Sequence, residues 1–257
     1  MLLFPLTRKR EISKYTNILL LSNYRIMERG VYKYPDIDDR NFYGNIKNTD
    51  WEDGGLEDKY IYEAIQYIPK EQRKTILDAG CGLGKQIPKL ISYFEKIIAI
   101  DPDKERLKKA EEIFNRAKNI EFSCASIQEF VRKEILDCIL CSQIIQHVHT
   151  KDVQVILDKF KSLLKKSGYL IILTTNCLDE KDVFLKVNCE TNEHIPLTEE
   201  AYNGCVEIND IHLPTRLFTE ITLKRLLNDA GFEILFLRKF NGYPKIKGDN
   251  FIFARSK

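Results

Sequence analysis

Short apolar runs alternate with segments in which apolar residues recur every three or four positions, from residue 74 to the end of the chain. The short runs predict buried strands, and the helical spacing predicts amphipathic helices. Their alternation predicts a doubly wound α/β fold, with a mostly parallel seven-stranded sheet and helices on both faces. The predicted strands span residues 75–78, 96–101, 120–125, 135–142, 169–175, 232–240 and 250–257. The predicted helices span residues 85–94, 102–117, 152–166 and 219–231.

The alternation also predicts how the chain is organised. Residues 1–56 precede the first unit of the pattern and are predicted to be an N-terminal helical or irregular extension. Residues 57–257 are long enough for one large domain. Within this domain, the polar stretch at about 176–213 shows little periodicity and is predicted to be an irregular insert. Loops at the carboxyl edge of a parallel sheet often carry specificity, so this insert is expected to shape a substrate pocket.

Charge narrows the range of partners. The chain has 40 basic and 38 acidic side chains among 257 residues, a net charge of +2. No overall field therefore draws it to nucleic acid or to an anionic membrane. The basic run at residues 8–10 is followed by an acidic segment, which favours a solvated surface over an RNA-binding patch. The aliphatic run at 18–21 is too short to cross a bilayer. A cytoplasmic location is predicted, whereas the sequence does not indicate an oligomeric state.

Seven cysteines, an odd number without a disulfide framework, are typical of a reducing compartment. Cys138 and Cys141 have the CxxC spacing of zinc and redox sites. They lie in a predicted strand, where residues three apart face opposite sides of the sheet. We therefore expect two buried hydrophobic side chains at these positions and no metal site.

The segment "ILDAGCGLGKQ" follows the first predicted strand and contains a GxGxG turn, Gly80, Gly82 and Gly84. Such a turn lets the backbone approach a ligand closely. The dinucleotide fingerprint GxGxxG is not matched, because Lys85 occupies its third glycine position. The phosphate-binding loop GxxxxGK[ST] also fails, because Gln86 replaces the hydroxyl that would bind magnesium.

Two acidic residues identify the ligand more closely. Asp101 ends the second predicted strand, 21 residues after Gly80, where a carboxylate can accept hydrogen bonds from both ribose hydroxyls. Asp78 ends the first strand and would repel a pyrophosphate, whereas it would hold a cationic or zwitterionic ligand. A ribonucleoside with a positive charge and no phosphate is S-adenosylmethionine. The pattern therefore predicts this cofactor.

These motifs resemble those of the class I S-adenosylmethionine-dependent methyltransferases. "ILDAGCGLG" is similar to the first motif of the family, "IIAIDPD" to the second, "SCASIQEF" to the third and "LDCILCSQIIQHV" to the fourth. The closing segment "LPTRLFTEITLKRLLNDAGFEILFLRKF" resembles the last helix and strand of that fold. The resemblance covers roughly residues 57–257 and implies a methyl transfer to an oxygen or nitrogen nucleophile, with a small molecule as the expected acceptor.

The resemblance also implies roles for individual residues. The glycine turn and Asp78 would hold the methionine part, and Asp101 the ribose. Ser126 stands where many members have an aspartate for the adenine amino group, so Ile127 is expected to pack on the adenine and to bond it through its backbone. Ser142 and Gln143 would lie beneath the sulfonium. The implied cofactor-binding residues are Asp78, Gly80, Cys81, Gly82, Gly84, Asp101, Pro102, Ser126, Ile127, Ser142 and Gln143.

Fewer residues are predicted to contact the acceptor than the cofactor. His147 follows the fourth strand beside the transferred methyl and is the predicted general base, unless it only anchors its loop. "FSCASIQEF" and "IIQHV" also resemble the branch that methylates protein amino termini, where a histidine at this place is a base. Trp51 and Asn176 are predicted to contact the acceptor, with residues from about 30 to 56 as a lid.

Four alternatives to a small-molecule methyltransferase stay open at this point. A protein or peptide N-methyltransferase and an RNA methyltransferase would use the same cofactor site. A non-catalytic S-adenosylmethionine-binding module would share every cofactor residue and lack turnover. An NAD-dependent oxidoreductase would share the sheet and Asp101, but it would be expected to have GxGxxG and no acid at Asp78.

Overall fold

The computed structural model describes residues 56–188, 191, 193–206, 212–240 and 248–257. All of them belong to the unit that spans Tyr32–Lys257. Trp51 and the predicted lid before residue 56 lie outside the described residues. Among the helices in the described ranges, none has the length and apolar character that crossing a membrane requires.

Ten strands and six α-helices make up the described part of the chain. The strands are β1 (Thr75–Ala79), β2 (Lys96–Asp101), β3 (Ile120–Cys124), β4 (Leu136–Ser142), β5 (Leu164–Thr175), β6 (Val183–Asn188), β7 (His194–Leu197), β8 (His212–Leu217), β9 (Phe232–Phe240) and β10 (Asp249–Ser256). The helices are α1 (Leu56–Tyr67), α2 (Ile87–Leu90), α3 (Lys104–Ile113), α4 (Asp152–Leu163), α5 (Glu199–Val206) and α6 (Glu220–Asp229). Short 3-10 turns span Lys70–Gln72 and Ile145–His147.

Seven strands form the main sheet in the order β3-β2-β1-β4-β5-β10-β9. The strands from β3 to β5 are parallel to their neighbours, whereas β10 runs antiparallel to both β5 and β9. The chain order reverses at β1, so the crevice between β1 and β4 lies at the topological switch point, where open α/β sheets bind their ligands. The predicted mostly parallel seven-stranded sheet is confirmed.

Helices cover both faces of this sheet, each over its own apolar cluster. One cluster contains Cys141 from β4 and side chains from α4 and α6. The other contains Cys138 from β4 and side chains from α1, α2 and α3. The two cysteines therefore point to opposite faces and are both buried, as the strand periodicity predicts. No group of three metal-ligating His, Cys, Asp or Glu side chains occurs in the described ranges.

Several boundaries differ from the sequence prediction. Helix α4 ends at Leu163 and not at residue 166, because the chain already enters β5 at Leu164. Ser167 has a positive φ of 63°, and the pairing of β5 with β4 shifts register beside it. Helix α2 covers only Ile87–Leu90 of the predicted 85–94. Helix α3 begins at Lys104 because the Asp103 side chain accepts the hydrogen bonds of its first turn.

The largest correction concerns the insert, for which no regular structure was predicted. It contains a second, antiparallel sheet in the order β7-β6-β8 and the helix α5. Its strands are short, and Pro196 and Pro214 interrupt their apolar patterns, which hides the period of two in the sequence. The sheet continues to Leu217, four residues beyond the predicted end of the insert.

Candidate active site

The glycine turn leaves the carboxyl end of β1 and is fastened to β2. The backbone N–H groups of Gly80 and Cys81 both donate to the carbonyl oxygen of Ile100, at 2.9 Å each. Because β1, β2 and β4 are parallel, their carboxyl ends meet at one edge of the sheet. The turn, Asp78, Asp101 and Ser142 are thereby brought together at this edge, as the sequence predicts.

The three glycines have different surroundings. All have positive φ values, 78° at Gly80, 53° at Gly82 and 82° at Gly84. A Cβ atom at Gly80 would lie 2.4 Å from the Ile144 side chain, and one at Gly84 would lie 2.6 Å from Phe114. A Cβ atom at Gly82 would meet nothing nearer than an Arg106 nitrogen at 3.7 Å. Gly80 and Gly84 therefore serve the packing of the protein itself, and Gly82 is the glycine that leaves room for a ligand.

Asp101 organises the backbone around Gly82. Its Oδ2 accepts from the N–H of Gly82 and its Oδ1 from the N–H of Asp103, both at 2.8 Å. Burial raises the pKa of Asp101, and the two backbone hydrogen bonds oppose this rise. Each carboxylate oxygen has a second lone pair. Asp101 can thus hold the turn and still accept hydrogen bonds from a ribose.

Asp78 is a buried acid with an unsatisfied acceptor. The residue is 1% exposed, and its Oδ2 accepts no hydrogen bond from any described residue. Burial, and next the charge of Asp101, raise the pKa of Asp78 to about 7, while Lys89 opposes the rise. A buried acceptor without a partner is costly unless a ligand supplies the donor. A cationic donor such as an ammonium group would satisfy this atom.

Four other predicted cofactor residues occupy less open positions. The side chain of Cys81 packs in the second core cluster, and that of Ile127 in the first. Ser126 donates its hydroxyl to Glu129 Oε2 at 2.8 Å, so this hydroxyl already has an acceptor within the protein. Pro102 is half-buried beside Asp101. The side chains of Cys81 and Ile127 are thus used in packing, and the hydroxyl of Ser126 is used in a bond within the protein.

The end of β4 belongs to a polar network that the sequence reasoning missed. Gln86 is buried and donates through Nε2 to Glu57 Oε1 at 2.7 Å and to Ser142 Oγ at 3.1 Å. The Oε1 of Gln86 is a second buried acceptor without a partner among the described residues. In the sequence, Gln86 only argues against a phosphate-binding loop, and Glu57 belongs to no motif that would single it out.

Gln143, the residue after β4, has a φ of 58°. A left-handed conformation at a residue other than glycine costs energy and is common at functional sites. Its N–H donates to the carbonyl of Leu173 at 2.9 Å, which fixes the backbone there. Its side-chain oxygen accepts from Gln146 Nε2 at 2.5 Å. The side chain is therefore directed along the following turn.

His147 lies in that turn and is buried, with Nδ1 2.7 Å from the carbonyl oxygen of Pro214 in β8. A carbonyl only accepts, so Nδ1 carries a hydrogen, and Nε2 of the neutral ring carries the lone pair. Burial lowers the pKa of His147 to about 4, although the bond to Pro214 opposes this. His147 is therefore neutral at physiological pH.

Asn176 follows β5 at the same edge of the sheet. It is buried, and its N–H donates to the carbonyl oxygen of Gly248 at 2.8 Å. An isolated bridge pairs it with Phe218, which follows the insert sheet. Asn176 thus stands where the insert leaves the main sheet. Its contact with an acceptor stays a prediction.

The fold and the edge site together define an open α/β protein with a nucleoside-binding glycine turn. Residues 56–236, well over half of the chain, match the family model described as "Methyltransferase domain". The chain belongs to this methyltransferase-domain family, which confirms the resemblance on which the sequence prediction rests.

Individual relatives are more distant. An O-methyltransferase of ubiquinone biosynthesis from Pelagibacter ubique is 30% identical over 118 residues, which cover 45% of this chain and 48% of the relative. Phosphoethanolamine N-methyltransferase 1 from Arabidopsis thaliana is 25% identical over 111 residues, 42% of this chain and 23% of the relative. This chain therefore spans less than half the length of these relatives.

A solved structure has a similar fold. The 1,6-didemethyltoxoflavin-N1-methyltransferase of Burkholderia thailandensis superposes with a TM-score of 0.58 at 16% identity, and the match covers 100% of this chain and 93% of that one. At this identity the comparison supports the fold alone.

Proposed function

We propose that this protein is an S-adenosylmethionine-dependent methyltransferase that acts on an oxygen or nitrogen atom of a small molecule. The observation that carries the proposal is the pair of buried acids at the glycine turn. Asp78 has an unpartnered acceptor, and Asp101 has spare lone pairs beside Gly82. This site fits a ligand with a cationic donor and a ribose. Membership of the methyltransferase-domain family supports the same cofactor.

Each part of the cofactor would meet a matching group. Asp78, together with the unpartnered oxygen of Gln86, would accept hydrogen bonds from the ammonium group of the methionine part. Asp101 would accept from the ribose hydroxyls, and the bare backbone of Gly82 would let the ribose approach. Two acids lie at this site, and no described basic side chain bonds Asp78 Oδ2. This negative charge disfavours a pyrophosphate, and with it the oxidoreductase alternative.

When bound, S-adenosylmethionine would supply a sulfonium methyl group, to which the acceptor atom bonds in line while the methyl–sulfur bond breaks and a neutral thioether leaves. Most of the catalysis can therefore come from alignment of the acceptor. His147 is neutral, and its low pKa makes it a weak proton acceptor. It suits a hydrogen bond to the acceptor better than full removal of a proton. The low pKa of His147 would thus favour acceptors that react as free amines or that lose their proton to solvent.

The small-molecule assignment is supported by the names of the relatives, one an N-methyltransferase of phosphoethanolamine and others O-methyltransferases of ubiquinone biosynthesis. The insert would form one wall of the acceptor pocket, since Asn176 and Pro214 connect it to the edge of the main sheet that carries His147. The cytoplasmic location predicted from the sequence is retained as part of the proposal.

Calorimetric titration with S-adenosylhomocysteine and with NAD tests the cofactor. We expect saturable binding of the first and no binding of the second, and the opposite result would overturn the proposal. Transfer of labelled methyl from S-adenosylmethionine is then measured on phosphoethanolamine, a catechol, a peptide with a free amino terminus and a transfer RNA. Transfer to either small molecule supports the proposal. Transfer confined to the peptide or the RNA assigns another acceptor class, and cofactor binding without turnover indicates a non-catalytic module.

The proposed lid requires a separate measurement, since residues 1–55 lie outside the described ranges. Trp51 is the only tryptophan of the chain and serves as its own probe. If the segment from about 30 to 56 closes over the cofactor, saturation with S-adenosylhomocysteine shifts or quenches the Trp51 fluorescence. Saturation in calorimetry without any change in fluorescence would contradict the lid.

A further inference from the structure

The turn after β4, residues 143–150, is held by a tyrosine from the insert. Tyr202 in α5 is fully buried, and its hydroxyl oxygen lies 2.7 Å from the carbonyl oxygens of both Gln146 and Val148. These two carbonyls flank His147 on either side in the sequence. One phenolic hydrogen is thus shared between the residues immediately before and after the histidine.

Two further contacts join the same parts of the molecule. Asn203, next to the tyrosine, accepts from the N–H of Thr150 at 2.9 Å and donates to its hydroxyl at 3.1 Å. Pro214 in β8 accepts from His147 Nδ1 at 2.7 Å. The insert therefore contacts the turn at Gln146, His147 and Thr150, through partners more than 50 residues away in the sequence.

The main sheet holds the turn from the other side. Thr174 in β5 donates to Gln146 Oε1 at 3.0 Å, and Gln146 Nε2 donates to Gln143 Oε1 at 2.5 Å. The side chain of Gln146 is thus fixed by the sheet, while its backbone carbonyl is fixed by Tyr202. With both kinds of contact in place, the turn has little freedom to change conformation.

The choice of tyrosine is informative, because packing alone does not require it. The ring of Tyr202 packs at 5.2 Å between centroids against Phe184 of β6, a contact that a phenylalanine would make equally well. Burial raises the pKa of Tyr202, so the hydroxyl stays protonated and remains a donor. The hydroxyl therefore serves the two carbonyls of the turn.

We propose that Tyr202 is a positioning residue for methyl transfer, which fixes the turn that carries His147 and thereby makes the insert determine where the acceptor lies. This inference rests on the proposed function for its catalytic consequence. Its structural part, the control of the His147 ring by the insert, is independent of any cofactor or acceptor.

The test compares Tyr202→Phe with Tyr169→Phe. Tyr169 is also buried, but it pairs with Cys138 near the amino end of β4, whereas the site lies at the carboxyl end of that strand. The imidazole nitrogens are followed by 15N–1H correlation spectra at pH 7, with the His147 signals assigned by the loss of peaks in His147→Asn. In wild type and in Tyr169→Phe we expect a single tautomer with hydrogen on Nδ1. In Tyr202→Phe we expect mixed tautomers or exchange broadening.

The kinetic measurement uses the acceptor that receives methyl in the labelled-methyl transfer assay. We expect Tyr202→Phe to raise the KM for that acceptor or to lower kcat about fivefold, as the loss of a net hydrogen bond predicts, with affinity for S-adenosylhomocysteine unchanged. Tyr169→Phe should match wild type in every measurement. An unchanged His147 spectrum and unchanged kinetics in folded Tyr202→Phe would overturn the inference.

Two complications are covered by separate readouts. If Tyr202→Phe does not fold, Asn203→Ala loosens the end of the turn at a partly exposed site, and the same two expectations apply to it. If the wild-type protein does not bind S-adenosylhomocysteine, the proposed function fails. The His147 spectra then still decide whether the insert holds the turn.

Discussion

The cofactor side and the acceptor side of the candidate site are built in different ways. The part of the cofactor side that carries both acids runs from Asp78 to Asp101, from the end of β1 to the end of β2, and its backbone contacts join residues about 20 positions apart. The acceptor side joins the turn at 143–150 to an insert that lies 53 to 67 residues further along the chain. The first is a local motif, whereas the second exists only after the insert has folded onto the sheet.

The two sides also differ in charge. The cofactor side contains two buried acids with raised pKa values, and no described residue donates a hydrogen bond to Asp78 Oδ2, so a bound cation would stabilise this side. The acceptor side contains a buried neutral histidine and a buried tyrosine, which both donate to backbone carbonyls, and two glutamine side chains that bond each other. The cofactor side is therefore completed by its ligand, and the acceptor side is largely organised before any ligand binds.

The largest effect should come from branched side chains in the glycine turn. Gly82→Val places its side chain in the space left for the ligand, and we expect a loss of affinity for S-adenosylhomocysteine of at least about a hundredfold, near 2.7 kcal/mol. The left-handed backbone adds a stability cost on the order of 1–2 kcal/mol. Calorimetry and thermal unfolding separate the two quantities.

Gly80→Val is the matched control for this loss. Its side chain would collide with Ile144 inside the protein, so we expect mainly a lowered melting temperature. If Gly80→Val lost affinity at full stability while Gly82→Val bound normally, the assignment of the ligand-facing glycine would be reversed.

A smaller effect is expected from Asp101→Asn. The substitution keeps an acceptor for one backbone N–H but removes the charge that strengthens the ribose hydrogen bonds. We expect the affinity for S-adenosylhomocysteine to fall about tenfold to a hundredfold, or roughly 1.4–2.7 kcal/mol. Asp103→Asn, which keeps the cap of α3, is the control. Wild-type affinity in a folded Asp101→Asn would remove Asp101 from the ribose site.

This contrast explains how much the sequence could predict. The strand β2 was predicted at its observed boundaries, because a buried strand in a parallel sheet appears as a continuous apolar run. The half-buried, antiparallel edge strand β9 was also predicted at its observed boundaries. The glycine turn and the position of Asp101 could be predicted because both belong to a local motif. Spacing along one βαβ unit fixes their positions, whatever the rest of the chain does.

The acceptor side could not be predicted in this way. No short-range pattern connects Tyr202 to Gln146, and the alternation of the insert strands is interrupted by prolines and polar residues. His147 was recognised from its place after β4, but its neutral state follows from burial and from Pro214, 67 residues away. Tertiary contacts, which a single sequence does not display, decide the properties of this side.

The raised pKa of Asp78 predicts that cofactor binding depends on pH. A bound cation stabilises the carboxylate, so the complex has a lower pKa for Asp78 than the free protein, in which it is about 7. Affinity for S-adenosylhomocysteine should then be greatest above pH 7 and decrease as the pH falls below it, by at most about tenfold per unit. Calorimetry between pH 5.5 and pH 8.5 measures this dependence.

Asp78→Asn tests the origin of that dependence and has a second consequence. In the absence of ligand, the raised pKa means that Asp78 costs stability increasingly as the pH rises from about 4 to 7. The variant should therefore be more stable than wild type at pH 7.5, by on the order of 1–3 kcal/mol, although it binds the cofactor more weakly. A destabilised variant with an unchanged pH profile of binding would contradict the role given to Asp78.

The smallest effect on the affinity for the cofactor is expected from substitutions of His147, whose pH dependence of stability is also opposite to that of Asp78. Because burial lowers its pKa to about 4, the neutral ring contributes stability that is fully present above pH 6.5 and is lost as the pH falls from 6.5 to 4. His147→Asn keeps an N–H donor near the carbonyl of Pro214 and should flatten this part of the stability profile. His147→Ala leaves that carbonyl without its donor and should cost about 1–3 kcal/mol at pH 7.

Both variants should bind S-adenosylhomocysteine within about twofold of wild type, since the cofactor side lies elsewhere. If Asn restores stability but not methyl transfer, the lone pair of Nε2 takes part in the reaction. If Asn restores both, His147 only anchors its turn, and a large loss of cofactor affinity in either variant would show that the two sides are not separate.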